Sequence, residues 1–154
     1  MTIEIALYQP DMAPNAATIG RMCACFGLAL TIIEPAGFAF TDSSFKRAGM
    51  DYLDSLDLRR AASWQAFQSQ YAGRRLVLLS TKASLPHVDF AFQANDVLVL
   101  GRESAGVPAD VHAAIPHRIR IPMVAGARSL NVAMASAIVV SEALRQTGHY
   151  EKLI

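Results

Sequence analysis

An α/β fold built on a mostly parallel sheet flanked by helices is what this sequence predicts, on three observations. Short apolar runs alternate with segments whose apolar residues recur at helical spacing. One run, Val97-Leu-Val-Leu100, is apolar without interruption, as a strand buried on both faces requires. The same order then occurs twice in the C-terminal third, in Asp96–Pro108 and in Ile119–Ala133: an apolar strand, a loop of glycine and polar residues, a helix.

Each element follows from local chemistry. Ile3–Tyr8 is an apolar first strand, and Pro10-Asp-Met-Ala-Pro14 is a loop. Asn15 is a residue type that caps helices, so a helix is expected over Ala16–Phe26, with Ile19, Met22, Cys23 and Phe26 on one face. Gly27 ends it. Leu28–Ile33 is a second strand, closed by Pro35 and Gly37. Thr41–Gly49 reads as a short charged helix and Tyr52–Ser55 as a short strand. Ala61–Tyr71 reads as a helix whose Trp64, Phe67 and Tyr71 belong to the core. Arg75–Thr81 is a strand, Val97–Leu100 the buried central one, and Pro108 opens a helix through Ala114. Arg118–Ile121 is the last strand and Leu130–Gln146 the last helix. That helix is apolar nearly all round, so it needs burial on several sides. A homodimer interface over Ala135 and Val139 meets the need.

Composition narrows the classes. The 154 residues make one domain, and their 53% hydrophobic content also points to an apolar oligomer interface. The net charge of +1 does not advertise a nucleic-acid binder. Basic pairs at Lys46-Arg47, Arg59-Arg60 and Arg74-Arg75 are either local positive patches or solvated surface. No apolar run reaches the roughly 18 residues of a membrane span, and no signal peptide is evident. A cytoplasmic protein with reduced thiols and no membrane partner is expected. Cys23 and Cys25 lie on different faces of one helix and are expected in the core. The four histidines lack metal-ligand spacing, so no metal is expected.

The two glycine loops define the chemistry. Gly101 and Gly106 have phosphate-loop spacing, but Val107-Pro108 follows where Lys-Ser/Thr is required, and no Gly-x-Gly-x-x-Gly occurs. The loops offer backbone amides, small residues, Glu103 and a Ser129-Leu130-Asn131 turn. That set suits an uncharged, adenosine-like ligand better than a triphosphate. A flavodoxin-like flavin or phosphate binder would need a hydroxyl-rich loop after the first strand, which is lacking.

Three segments carry a resemblance: Asn15 with Arg21, Gly101-Arg-Glu-Ser-Ala-Gly106, and Ile121-Pro-Met123 with Ser129-Leu-Asn131. They resemble the three motifs of the SPOUT methyltransferases, knotted RNA methyltransferases that use S-adenosylmethionine. Tyr8-x-Pro10, Ile32-Ile-Glu-Pro-x-Gly-Phe38, Arg47-Ala-Gly-x-Asp-Tyr52 and Thr81-Lys82 are similar to the compact group that methylates the ribose 2′-OH of the tRNA wobble nucleotide, cytidine or uridine. The resemblance spans almost the whole chain. It implies a single SPOUT-like domain over 1–154, with a C-terminal trefoil knot over about 76–146, which no sequence rule would derive.

The resemblance also implies roles. S-adenosylmethionine would be held by Leu79, Gly101, Glu103, Ile121, Met123, Ser129 and Leu130. Arg21, Asn131 and Asn15 would serve catalysis, Arg21 reaching across a homodimer. An arginine does not normally deprotonate, so Arg21 would hold the ribose and phosphate and polarise the hydroxyl rather than act as base. Lys82 and Arg128 would contact RNA phosphates. The chain departs from the family pattern at Ala17, Thr18, Ala105 and Ala133, which carry no polar group or a different one. A tRNA 2′-O-methyltransferase is therefore expected. The alternatives are the same chemistry on ribosomal RNA, or a non-catalytic dimeric module that binds RNA or donor.

Overall fold

The computed structural model describes residues 1–39, 43, 47 and 52–154. Among them the strands β1 (Glu4–Tyr8), β2 (Leu30–Ile33), β3 (Leu58–Ala61), β4 (Leu76–Leu79), β5 (Leu85–Pro86), β6 (Val97–Leu100) and β7 (His117–Arg120) form one sheet. Its order is β3-β2-β1-β6-β4-β7-β5, and every pairing is parallel. The helices are α1 (Ala13–Phe26), α2 (Trp64–Gln70), α3 (Ala109–Ala114) and α4 (Val132–Gln146).

Alternation along the central strands sends side chains to two cores. Ile5, Leu7, Leu98 and Leu100 join Ile19 and Cys23 of α1 and Val139, Val140 and Leu144 of α4. Ala6, Tyr8, Val97 and Val99 join Trp64 and Phe67 of α2 and Val111 of α3 on the other face. Both faces of the sheet are thus covered, which explains the uninterrupted apolar run of β6. The expected aromatic core is present: Trp64 stacks on Phe67, and Phe67 packs against Tyr71.

Several expectations need correction. The first helix begins at Ala13, with Met12 in the cap position, and Asn15 lies inside the first turn. Pro14 fits there because the first turn needs no backbone donor, which frees the Asn15 side chain for another partner. Tyr52–Ser55 is not a strand: Leu53–Ser55 is a 3-10 turn, closed by the Ser55 amide donating to the Tyr52 carbonyl. The strand comes later, at β3, where the exposed Arg59-Arg60 pair disguises it. Charged residues suit β3 because it is an edge strand. The second helix accordingly starts only at Trp64, capped by the Ser63 hydroxyl. The charged helix expected at Thr41–Gly49 falls largely outside the described residues, as does Lys46. Cys23 is buried, and burial pushes its thiol up to about 12; Cys25 is exposed rather than core. Val139 is also buried within the subunit, so the exposed apolar residues of α4 are Met134 and Ile138.

Arg59, Arg60, Arg74 and Arg75 are not free patches. Arg59 and Arg74 both bind Glu4, Arg60 binds Glu34, and Arg75 holds the fully buried Asp96 through two bonds of 2.6 and 2.7 Å. Among the described residues no helix is long and apolar enough to cross a membrane.

Phe67→Ala should lower the unfolding free energy by about 3–5 kcal/mol, the range for emptying a fully buried aromatic site. Urea denaturation measures it, and an unchanged midpoint would mean that this face of the sheet is not a close-packed core.

Candidate active site

A cavity of about 910 Å3 opens at the carboxyl ends of β4, β6 and β7. These are adjacent strands, and carboxyl ends are where open α/β sheets bind ligands. Leu79, Gly101 and Ile121 line it at or just beyond those strand ends, and Glu103, Met123, Ser129 and Leu130 line it from the loops that follow. Asn15, Lys82, Arg128 and Asn131 are in the same lining. The structure therefore gathers every residue expected at the site except Arg21.

One hydrogen-bond chain closes the cavity rim. Glu103 accepts from the Asp11 amide at 2.9 Å and from Asn15 Nδ2 at 3.5 Å. Asn131 Nδ2 donates to Asn15 Oδ1 at 3.1 Å. Asn131 Oδ1 caps α4 by accepting from the Ala133 and Met134 amides. Asp11 in turn accepts from the Ser104 hydroxyl and amide. The loops after β1 and β6 and the start of α4 are thereby tied together. Asn131 is both the helix cap and a site residue, whereas Asn15 is only the latter.

Backbone geometry makes Gly101 obligatory. Arg102 and Gly106 exchange amide-to-carbonyl bonds of 2.9 Å in both directions, folding the loop back on itself. A Cβ on Gly101 would lie 2.7 Å from the Gly106 carbonyl carbon. The group that approaches the Gly101 backbone is thus its own loop.

Three site residues escape sequence reasoning. Arg102 lines the cavity, sits over the Tyr8 ring at 5.7 Å, and has a buried Nε with no partner among the described residues. Its place between Gly101 and Glu103 is the one clue to it in the sequence. Asp11 and His112 have none, because only the fold brings them to the rim. An orphaned donor, a ring of open strand ends and a volume at the upper end of small-molecule sites fit a donor with acceptor atoms, such as S-adenosylmethionine.

Arg21 stands apart. It is exposed on α1, and its Nη2 lies 3.3 Å from Tyr52 Oη with the guanidinium 4.9 Å from the Tyr52 ring centre. It is not among the cavity-lining residues. The exposed large apolar residues here are Met12 and Val124 on the rim and Met134 and Ile138 on α4, at 50, 82, 60 and 39%.

This parallel α/β sheet, with a cavity among three carboxyl-end loops, has a fold shared with known RNA methyltransferases. Residues 2–141 match the SpoU rRNA Methylase family, and the chain belongs to that family. The tRNA (cytidine(34)-2′-O)-methyltransferase of Ancylobacter novellus is 56% identical over 154 residues, covering 99% of this chain and 98% of that protein. A solved structure concerned with 2-OH methylation of C/U34 on tRNA superposes with a TM-score of 0.89 at 36% identity, covering 94% of this chain and 95% of that one. An AdoMet-bound rRNA methyltransferase from Sinorhizobium meliloti gives a TM-score of 0.82 at 26% identity, covering 94% of this chain and 56% of that one. The resemblance drawn from the motifs is thus borne out.

Asn131→Asp keeps the oxygen that caps α4 and removes the donor to Asn15. It should leave thermal stability near wild type while weakening donor affinity in calorimetric titration. Asn131→Ala should lower both, losing about 1 kcal/mol of cap as well. Equal donor affinity in all three proteins would dissociate the rim network from binding.

Proposed function

We propose that this protein is an S-adenosylmethionine-dependent methyltransferase that acts as a homodimer on the ribose 2′-OH of nucleotide 34, cytidine or uridine, of tRNA. The observation that carries the reading is the meeting of all three sequence motifs, Arg21 excepted, in one cavity. The activity of the Ancylobacter novellus relative supports the target, and its 56% identity outweighs the 26% of the neighbour named for rRNA. A tRNA substrate implies a cytoplasmic enzyme.

The donor fits in the cavity against Leu79, Gly101, Ile121, Met123, Ser129 and Leu130, within a knotted segment of about 76–146 in the single domain. Bound there, S-adenosylmethionine supplies an electrophilic methyl group. Everything else is positioning, which is the main demand of such a transfer. Glu103 holds the loop around the donor through the Asp11 amide and Asn15. Lys82 and Arg128, which no carboxylate of the described residues engages, hold RNA phosphates. Arg21 comes from the second copy, whose exposed Met12, Met134 and Ile138 cover those of the first. It grips the ribose and phosphate, polarises the hydroxyl, and leaves the proton to phosphate or water, because a guanidinium is a poor base.

Labelled methyl from S-adenosylmethionine should appear in unmodified tRNA as a 2′-O-methylated pyrimidine at position 34. Arg21→Ala should abolish transfer while donor affinity stays close to wild type; loss of donor affinity as well would place Arg21 in the donor pocket. Met134→Asp should give an inactive monomer in sedimentation, and an active monomer would sink the composite site.

A further inference from the structure

A second cleft, of about 430 Å3, opens beside the donor cavity and shares Lys82 and His112 with it. Lys82, His112, His117 and Arg118 stand in its walls, and no carboxylate does. In a chain with a net charge of only +1, such a concentration of basic groups is a local feature.

The hydrogen bonding in the wall says what is missing. Arg118 Nη1 lies 3.0 Å from His112 Nδ1. A guanidinium only donates, so Nδ1 is the acceptor and the proton of the neutral ring resides on Nε2. That Nε2 is buried and has no partner among the described residues. The bond to Nδ1 uses one N–H of the guanidinium and leaves its other donors for an anion in the cleft. Arg118 forms no ion pair with a described carboxylate, and its bond to His112 fixes its direction. His117 packs edge-on to Phe90, at 6.0 Å between ring centres. Two full cations, one of them fixed in direction, with no competing acid in the walls make a receptor for an oxyanion.

We infer that this cleft is a phosphodiester subsite, which seats a backbone phosphate of the RNA beside the nucleotide that enters the donor cavity. Lys82 belongs to both spaces and links them. The inference rests on the RNA-methyltransferase reading and deepens it: the cleft positions the strand and reads no base.

Arg118→Gln tests it, because glutamine retains an N–H donor for His112 Nδ1 and loses the charge. The variant, wild type, Lys82→Gln at an exposed position, and Lys152→Gln as a distant control are titrated with unmodified tRNA across a salt series and with S-adenosylmethionine. Arg118→Gln and Lys82→Gln should each weaken tRNA binding roughly ten-fold, the worth of one charge-assisted hydrogen bond. The slope of log affinity against log salt should fall by about 0.7–0.9 for each phosphate that is no longer neutralised. Donor affinity of Arg118→Gln and all properties of Lys152→Gln should match wild type. Wild-type tRNA affinity and methyl transfer in Arg118→Gln would overturn the subsite and leave the function standing. An equal loss in Lys152→Gln would replace it with diffuse electrostatics, and a parallel loss of donor affinity would assign Arg118 to the donor cavity. Failure of the wild-type protein to bind tRNA would overturn both readings.

Discussion

The Glu103 carboxylate is the constraint on which the site depends. Its two oxygens collect the Asp11 amide and the Asn15 amide group, partners 92 and 88 residues away in sequence. Asn15 then reaches Asn131, 116 residues further on. Well-formed charge-assisted bonds are worth about 1.5–3 kcal/mol each, and the Ser104 bonds to the Asp11 carboxylate tie the same two loops. Without such a tie, three loops rich in small residues would each be free to move, and ordering one residue costs about 1–2 kcal/mol. The Arg102–Gly106 turn supplies the rigid backing, since it holds Glu103 within a short loop closed at both ends. Rigidity here is a property of a few polar atoms rather than of the apolar core below.

Charge is sorted from one end of the sheet to the other. At the amino ends of the strands, Glu4, Asp57 and Asp96 engage Arg59, Arg74 and Arg75. The Arg59–Asp57 pair is exposed and adds little stability, about 0–1 kcal/mol, whereas Arg75 satisfies a carboxylate that is fully buried. Their larger consequence is electrostatic: they retire cations from the amino end. At the carboxyl end Lys82, Arg102, Arg120 and Arg128 have no described carboxylate within ion-pair distance. A nearly neutral chain thus keeps unpaired cations beside the cavity, next to the rim carboxylates Asp11 and Glu103, where an RNA substrate would arrive. Net charge argues mildly against nucleic acid because it averages over this asymmetry.

What the sequence reveals and what it hides follow one physical divide. Strands buried on both faces are apolar throughout, so β1 and β6 are legible to within a residue. β3 and β5 lie at the edges, where Arg59-Arg60 and Pro86 are tolerated and the apolar pattern disappears. The cavity-lining residues are legible because most of them cluster in two loops that carry the family motifs. Asp11, Arg102, His112 and Arg118 are not, since their significance lies in partners that only tertiary structure supplies. Asn15 reads as a cap for the same reason: its short polar side chain suits a helix start, and nothing local distinguishes a cap from a rim residue.

Helix geometry bears on the placement of Arg21. Asn15 and Arg21 share α1 and are six positions apart. At about 100° and 1.5 Å per residue they diverge by roughly 120° around the axis and about 9 Å along it. Asn15 faces the cavity, bonded to Glu103 and Asn131. Arg21 therefore points away from the cavity of its own chain, and Tyr52 holds it there through a hydrogen bond and its ring face. An arginine so held cannot swing back without giving up both contacts and the helix register. A second copy, docked on the exposed Met12 and Met134, can bring its own Arg21 to the opening with no internal rearrangement. On the proposed dimer, the apolar residues that a lone subunit leaves uncovered would be the means by which the site acquires its missing cation, and catalysis and association would become one requirement.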